Sequence, residues 1–255
     1  MRNILLSILL LLPWTLISQD FQGQAIYKFN NSYADVDWSK KKLSASESAM
    51  LKSRLSEASR KTFELSFTIQ ESSWAEVEML SVNAKGRKAK AGWAEATDKL
   101  LYKNLADQTY ALETEVFDKK FLVSGTLELP QWELTDETKK IGTYKVQKAI
   151  YRVEEKVLAF GKDEMVTKSS EVEAWFTMDI PISSGPSYYW GLPGLILEVK
   201  NGATSYICER ISLNTGAELV INKPTKGEKV SNEELEEIIQ QKTEEMYKKY
   251  NKKGK

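Results

Sequence analysis

The chain has 255 residues, with 36 basic and 36 acidic side chains that cancel. That balance excludes wholesale nucleic-acid binding through a basic face. It has no histidine and one cysteine. This excludes the commonest general base, the commonest zinc and copper ligand, a Cys-rich metal site, a Cys–His nucleophile and an intramolecular disulfide.

Met1-Arg2-Asn3 is a short positive end, and Ile4 to Leu12 is an apolar stretch broken by Pro13. The stretch falls well short of the ~20 apolar residues a spanning helix needs, so it reads as a secretory signal peptide. Cleavage is expected after Ser18, with Leu16 departing from the small-x-small preference, and leaves Gln19 at the mature N-terminus. No cysteine follows the apolar stretch to accept a lipid, so the expected product is exported to the periplasm or beyond and is not a lipoprotein. No second apolar run approaches a membrane span. About 240 residues remain, enough to bury a core without disulfides.

Gly23 to Phe29 is expected to open as a strand, and Asn30 to Lys42 as a polar loop. Ser44-Ala45-Ser46-Glu47 matches a capping box, with Met50, Leu51, Leu55 and Ala58 on one face of a short helix. At Thr62 the period changes. Phe63, Leu65, Phe67 and Ile69 alternate with polar residues, the clearest half-buried strand in the chain. Further strands are expected at Trp74–Leu80, Lys99–Leu105, Thr109–Val116, Phe121–Thr126, Thr143–Val153, Glu171–Thr177, Leu195–Lys200 and Thr204–Leu213. Ser81 to Asp98, rich in lysine and small residues, reads as a long loop. Cys208, inside the last strand, is expected to be a small buried hydrophobe.

Asn222 to Lys229 reads as a linker. Beyond it, Ser231-Asn232-Glu233-Glu234 forms a second capping box, and Leu235, Ile238, Ile239 and Met246 make an apolar stripe. Acidic residues crowd the start of this helix and lysines its end, an order that complements the helix dipole. The lysine tail is expected to be a solvated helix end. Short connections without intervening regular helices predict a mainly β (α+β) fold. The expectation is a curved antiparallel sheet or partial barrel, with one short helix near the N-terminus and an amphipathic helix at the C-terminus. The domain reading is a signal peptide over 1–18, a β domain over 19–221, and a linker, helix and basic tail over 222–255.

The most specific block runs from Ser187 to Val199. Three of the six prolines, Pro181, Pro186 and Pro193, lie within thirteen residues of one another. Leu192-Pro193-Gly194-Leu195 fits a type II turn, in which proline presets φ and Gly194 supplies the positive φ that follows. Tyr188, Tyr189 and Trp190 stand beside the turn. Such a cluster either pins the turn to the core or presents a binding surface, because Tyr and Trp join a flat apolar face to a polar edge. Gly191 to Ile196 spells GLPGLI. The lead-in from Ala174 to Ile182, with Ser184-Gly185-Pro186, and an upstream block from Trp132 to Ala149 accompany it. With these blocks the chain resembles the GLPGLI family of exported Bacteroidota proteins, over roughly residues 22–215. The resemblance implies export and carries no established activity. Relatives carry cysteine where this chain has Val146, so a cysteine-dependent role there has no support.

No G-x-S-x-G elbow, Walker loop or dinucleotide glycine pattern is present, nor an Asp/Asn/Gly calcium loop. No catalytic, cofactor-binding or metal-ligating residue is assigned, and no cofactor is expected. Carboxylate pairs remain: Glu76 and Glu78, Glu113 and Glu115, Glu171 and Glu173, each on one face of an expected strand. Paired across a groove, such acids serve glycoside hydrolysis. Alternating along one strand, they are the ordinary solvent side of a half-buried sheet. The leading expectation is therefore an exported, non-enzymatic binding or interaction protein at the cell envelope. Its partner would be an envelope protein or a hydrophobic small molecule, not nucleic acid. A carboxylate-dependent hydrolase acting on glycans is the alternative. N-terminal sequencing of protein recovered from the periplasm or medium should find a start near Gln19. Intact Met1 with no processed form would refute export.

Overall fold

The computed structural model describes residues 21–32, 44–58, 61–77, 97–158, 165–214 and 219–253. The expected signal peptide, most of the loop expected over 30–42 and nearly all of the long loop expected over 81–98 lie outside the described residues. The elements, in chain order, are β1 (Gln22–Asn31), α1 (Ala45–Ala58), β2 (Thr62–Thr68), β3 (Glu71–Glu76), β4 (Thr97–Asn104), β5 (Thr109–Val116) and β6 (Lys119–Thr126). They continue with β7 (Glu133–Ile141), β8 (Tyr144–Leu158), β9 (Met165–Thr177), β10 (Leu195–Asn201), β11 (Thr204–Leu213), β12 (Glu228–Val230) and α2 (Asn232–Lys253).

All strands join one 12-stranded sheet in the order β12-β6-β5-β4-β3-β2-β1-β11-β10-β9-β8-β7. Pairing is antiparallel except at β12, which runs parallel to β6. The sheet is open, so of the two closures expected, curved sheet or partial barrel, the sheet is the one observed. Neither β7 nor β12 was expected as a strand. Glu133-Leu134-Thr135-Asp136-Glu137-Thr138-Lys139-Lys140-Ile141 has no apolar alternation, because β7 is an edge. It is bulged between Leu134 and Thr138 and mostly exposed, the features that discourage a further strand from adding there. The stretch read as a linker supplies β12, joined to β6 from Glu228↔Phe121 to Val230↔Val123.

The alternation of β2 does what its period requires. Leu65 and Phe67 are fully buried, and Ile69, one step beyond the strand, is exposed. One cluster of buried residues gathers Ala25, Tyr27, Leu65, Phe67, Trp74 and Phe121. A second gathers Ala149, Val172, Ala174, Phe176, Ile196 and Val199, and Tyr206 packs against both. Val146 is buried in the first. Cys208 is buried too, and its thiol is pushed up to about 12 by desolvation, which makes it inert.

Both capping boxes form. Ser44 N–H donates to Glu47 at 2.8 Å and Glu47 N–H to the Ser44 hydroxyl at 3.2 Å. At α2 the corresponding bonds between Ser231 and Glu234 are 2.7 and 3.1 Å. The serine hydroxyl holds Glu47 below its ordinary carboxylate range. Leu235 is buried, and Ile238 and Ile239 pack beside it against the first cluster. Met50, expected on the buried side of α1, is exposed.

Candidate functional site

The segment between β9 and β10, residues 178–194, carries the signature. It folds on itself through Ser184 N–H to Ile182 O and Tyr189 N–H to Pro186 O, and onto β10 through Ile196 N–H to Ser184 O. Ile180, Ile182, Trp190 and Leu192 are buried. The loop lies across one face of the sheet. Its Ser184 hydroxyl meets that of Ser72 on β3 at 3.1 Å. Tyr27 on β1 donates its hydroxyl to Ile196 O at 2.7 Å.

Lys103 makes the central contact. On β4 it shares the face of buried Leu101, two residues before it, and its side chain has no exposed surface. Its Nζ donates to the carbonyls of Gly185 (2.9 Å), Ser187 (2.7 Å) and Tyr189 (3.3 Å). These residues belong to a turn closed by Tyr189 N–H to Pro186 O, which wraps their carbonyls around one point. Ser187 sits at φ 51, in the left-handed region that a non-glycine residue occupies only when its surroundings dictate it. Among the described residues no carboxylate pairs with Lys103. Burial pushes its pKa down to about 7, while three carbonyl acceptors favour the charged form and pull against that shift.

The three aromatic residues singled out in the sequence go to three environments. Trp190 is core: its Nε1 donates to Glu128 O at 3.0 Å, and its own carbonyl accepts Trp132 Nε1 at 2.8 Å. Tyr189 is half-buried against the second cluster. Tyr188 keeps 38% of its surface exposed and stands edge-on to Tyr110 of β5, centroids 5.6 Å apart. Burial, with Asp98 and Tyr110 nearby, raises the Tyr188 phenol far above its ordinary range. A separate row of rings lies on the sheet face that Tyr110 shares with Trp74. Phe63 stacks on Trp74 at 5.0 Å, and Tyr206 meets Trp74 at 5.4 Å and Phe29 at 5.2 Å. Its local sequence signal, not singled out above, is the aromatic pair Tyr27 and Phe29 at alternate positions of β1, with Tyr27 edge-on to Trp74.

The type II turn expected at Leu192-Pro193-Gly194-Leu195 is not what forms. The positive φ, +92, belongs to Gly191, while Gly194 lies outside the left-handed region and Leu195 N–H bonds Ile180 O. Gly194 is needed for closeness: a Cβ there would collide with the Thr177 carbonyl oxygen, main chain against main chain. At Gly191 a Cβ would lie 2.7 Å from Leu129 Cδ1. Leu192 is buried and Pro193 exposed.

The carboxylate pairs do not assemble. Glu76 bonds Lys61, Glu171 bonds Arg152 and Glu173 bonds Lys148. Glu113 and Glu115 face away from buried Leu112 and Thr114, and Glu78 lies outside the described residues. Among the described residues no three Cys, Asp or Glu side chains come together as metal ligands.

A family model of proteins of unknown function, Porph_ging, matches residues 132–198. That segment starts at Trp132 and includes β7, β8, β9 and the whole loop. Its holders Tyr27, Ser72 and Lys103 lie outside it. Comparison with curated proteins gives no match. Among solved structures, two crystal forms of PNGF-II are similar, each at 12% identity, with TM-scores of 0.53 and 0.52 over 86% of this chain. The match takes in 33% and 32% of those chains, so this protein spans about a third of PNGF-II. The likeness is one of fold.

Lys103 binds its proton less tightly when buried than when unfolded, so stability should rise with pH from about 7 toward the unfolded lysine pKa. The slope is at most about 1.4 kcal/mol per pH unit. Lys103→Met should abolish that slope and, by stranding three carbonyls, cost about 1–3 kcal/mol, both measured by denaturant titration from pH 6 to 9. Gly194→Ala should cost about 1–3 kcal/mol by overpacking and Trp190→Ala about 3–5 kcal/mol by cavity formation. Unchanged melting temperatures in both would show that the loop is not part of the core.

Proposed function

We propose that this is an exported binding protein of the GLPGLI type, which receives an apolar ligand on the aromatic face beside the signature loop. The observation that carries the reading is the separation of the loop's aromatics. Trp190 is committed to the core by two indole–carbonyl bonds, whereas Tyr188 is 38% exposed and edge-on to Tyr110, which shares its sheet face with Phe63 and Trp74. Partly exposed aromatics on a rigid frame supply contact area at small entropic cost. Export is supported by the N-terminal sequence pattern, and no described helix is long and apolar enough to cross a membrane. The Glu pairs, tied to surface cations or turned from the loop, lend the hydrolase reading no support.

Native purification from a periplasmic extract, followed by mass spectrometry, should recover a retained apolar small molecule. Tyr188→Ala should lose that molecule while its melting temperature stays within about 2 °C of wild type, as expected for a surface change. Retention by the variant would place the ligand elsewhere.

A further inference from the structure

The aromatic face carries an acidic group that has no counter-charge among the described residues. Asp98 lies on β4 opposite Thr114 of β5, and so on the same face as Tyr110, four residues back along β5. Tyr110 supports Tyr188. Tyr206, which closes the ring row with Phe29, Phe63 and Trp74, lies within reach of the Asp98 charge, as Tyr188 does. Asp98 keeps an exposed side, yet burial holds its carboxyl above the ordinary aspartate range. The Thr114 hydroxyl is near enough to temper that rise but falls short of a hydrogen bond, and it is buried with no other partner.

Among the described residues no lysine or arginine pairs with Asp98. The inward cation on the same strand, Lys103, is five residues away, about 16 Å along an extended chain, and its ammonium is occupied by three loop carbonyls. A partly desolvated carboxylate, open on one side and on a sheet face that carries several tyrosines, attracts positive charge. The ring faces add to that attraction through their quadrupoles. An anionic ligand would be repelled, and a neutral one would leave the carboxylate unmatched.

We propose that the part of the face bounded by Asp98, Tyr110, Tyr188 and Tyr206 binds an organic cation, an amine or quaternary ammonium group attached to an apolar body. Asp98 supplies the counter-charge, the tyrosines supply the walls, and the apolar body lies toward Phe63 and Trp74. This inference rests on the reading that ligand is received at the aromatic face and specifies its charge.

The test is titration of the mature protein, followed by tryptophan fluorescence and calorimetry, with 2-phenylethylamine and with its neutral counterpart 2-phenylethanol. The amine should bind about ten-fold or more tightly than the alcohol. Asp98→Asn should reduce that preference to about two-fold or less, and Asp98→Glu, which keeps the charge, should retain it. Tyr188→Ala should weaken both probes. Equal binding of amine and alcohol by the wild type, both weakened by Tyr188→Ala, would overturn the cation assignment while leaving the aromatic face as the site. A preference that survives Asp98→Asn would overturn the role of Asp98. Failure of both probes to bind at millimolar concentration would overturn the cation site and the aromatic-face reading together.

Discussion

A single buried ammonium organises this molecule. A lysine charge without compensation in an apolar interior is among the least favourable groups a protein can hold. Lys103 is tolerated because the loop brings three main-chain oxygens to it, and those oxygens would be stranded without it. Each side of the contact needs the other, so the loop cannot lift from β4 without exposing a desolvated cation and several unsatisfied carbonyls at once. The Ser72–Ser184 and Tyr27–Ile196 bonds then locate the same loop on β3 and against β1. A connection that would otherwise be a surface loop becomes part of the interior.

That constraint explains why adjacent aromatic residues behave differently. With the carbonyls of Gly185, Ser187 and Tyr189 all turned toward Nζ, the intervening side chains have little freedom of direction. Tyr188 emerges beside Tyr110, and Trp190 goes under the Glu128–Trp132 segment. The same backbone geometry thus provides an anchor and an exposed ring from positions two apart.

Much of the frame was legible in the sequence where local physics decides the outcome. The alternation from Phe63 to Phe67 and the serine–glutamate caps at Ser44 and Ser231 specify their elements with short-range information, and each forms as read. The failures share a cause: they depend on distant partners. Strand β7 has the composition of a loop because an edge needs charge more than it needs an apolar face. Pro193-Gly194 has turn chemistry, but the main chain at Thr177 passes so close that absence of a side chain, and not backbone freedom, is what the position demands. Lys103 follows Leu100, Leu101 and Tyr102, a run apolar on both faces, so alternation alone did not show that the lysine points inward with Leu101. Asp98 closes a stretch read as a loop from its polar, small-residue-rich composition, yet it pairs with Thr114 just before an irregularity in β4.

The parallel join between β12 and β6 has a bearing on how the chain is made. Residues 228–230 complete the outer edge of a strand that ends at Thr126, so about a hundred residues of polypeptide must be produced before that edge acquires its neighbour. Until then β6 offers unpaired amides and carbonyls to any extended segment nearby, which is the geometry through which chains associate wrongly. Helix α2 follows immediately and sets Leu235 into the first cluster. A portion made about a hundred residues after β6 is therefore the part that covers this edge, and a protein truncated near residue 221 would keep most of its strands yet leave this margin permanently open.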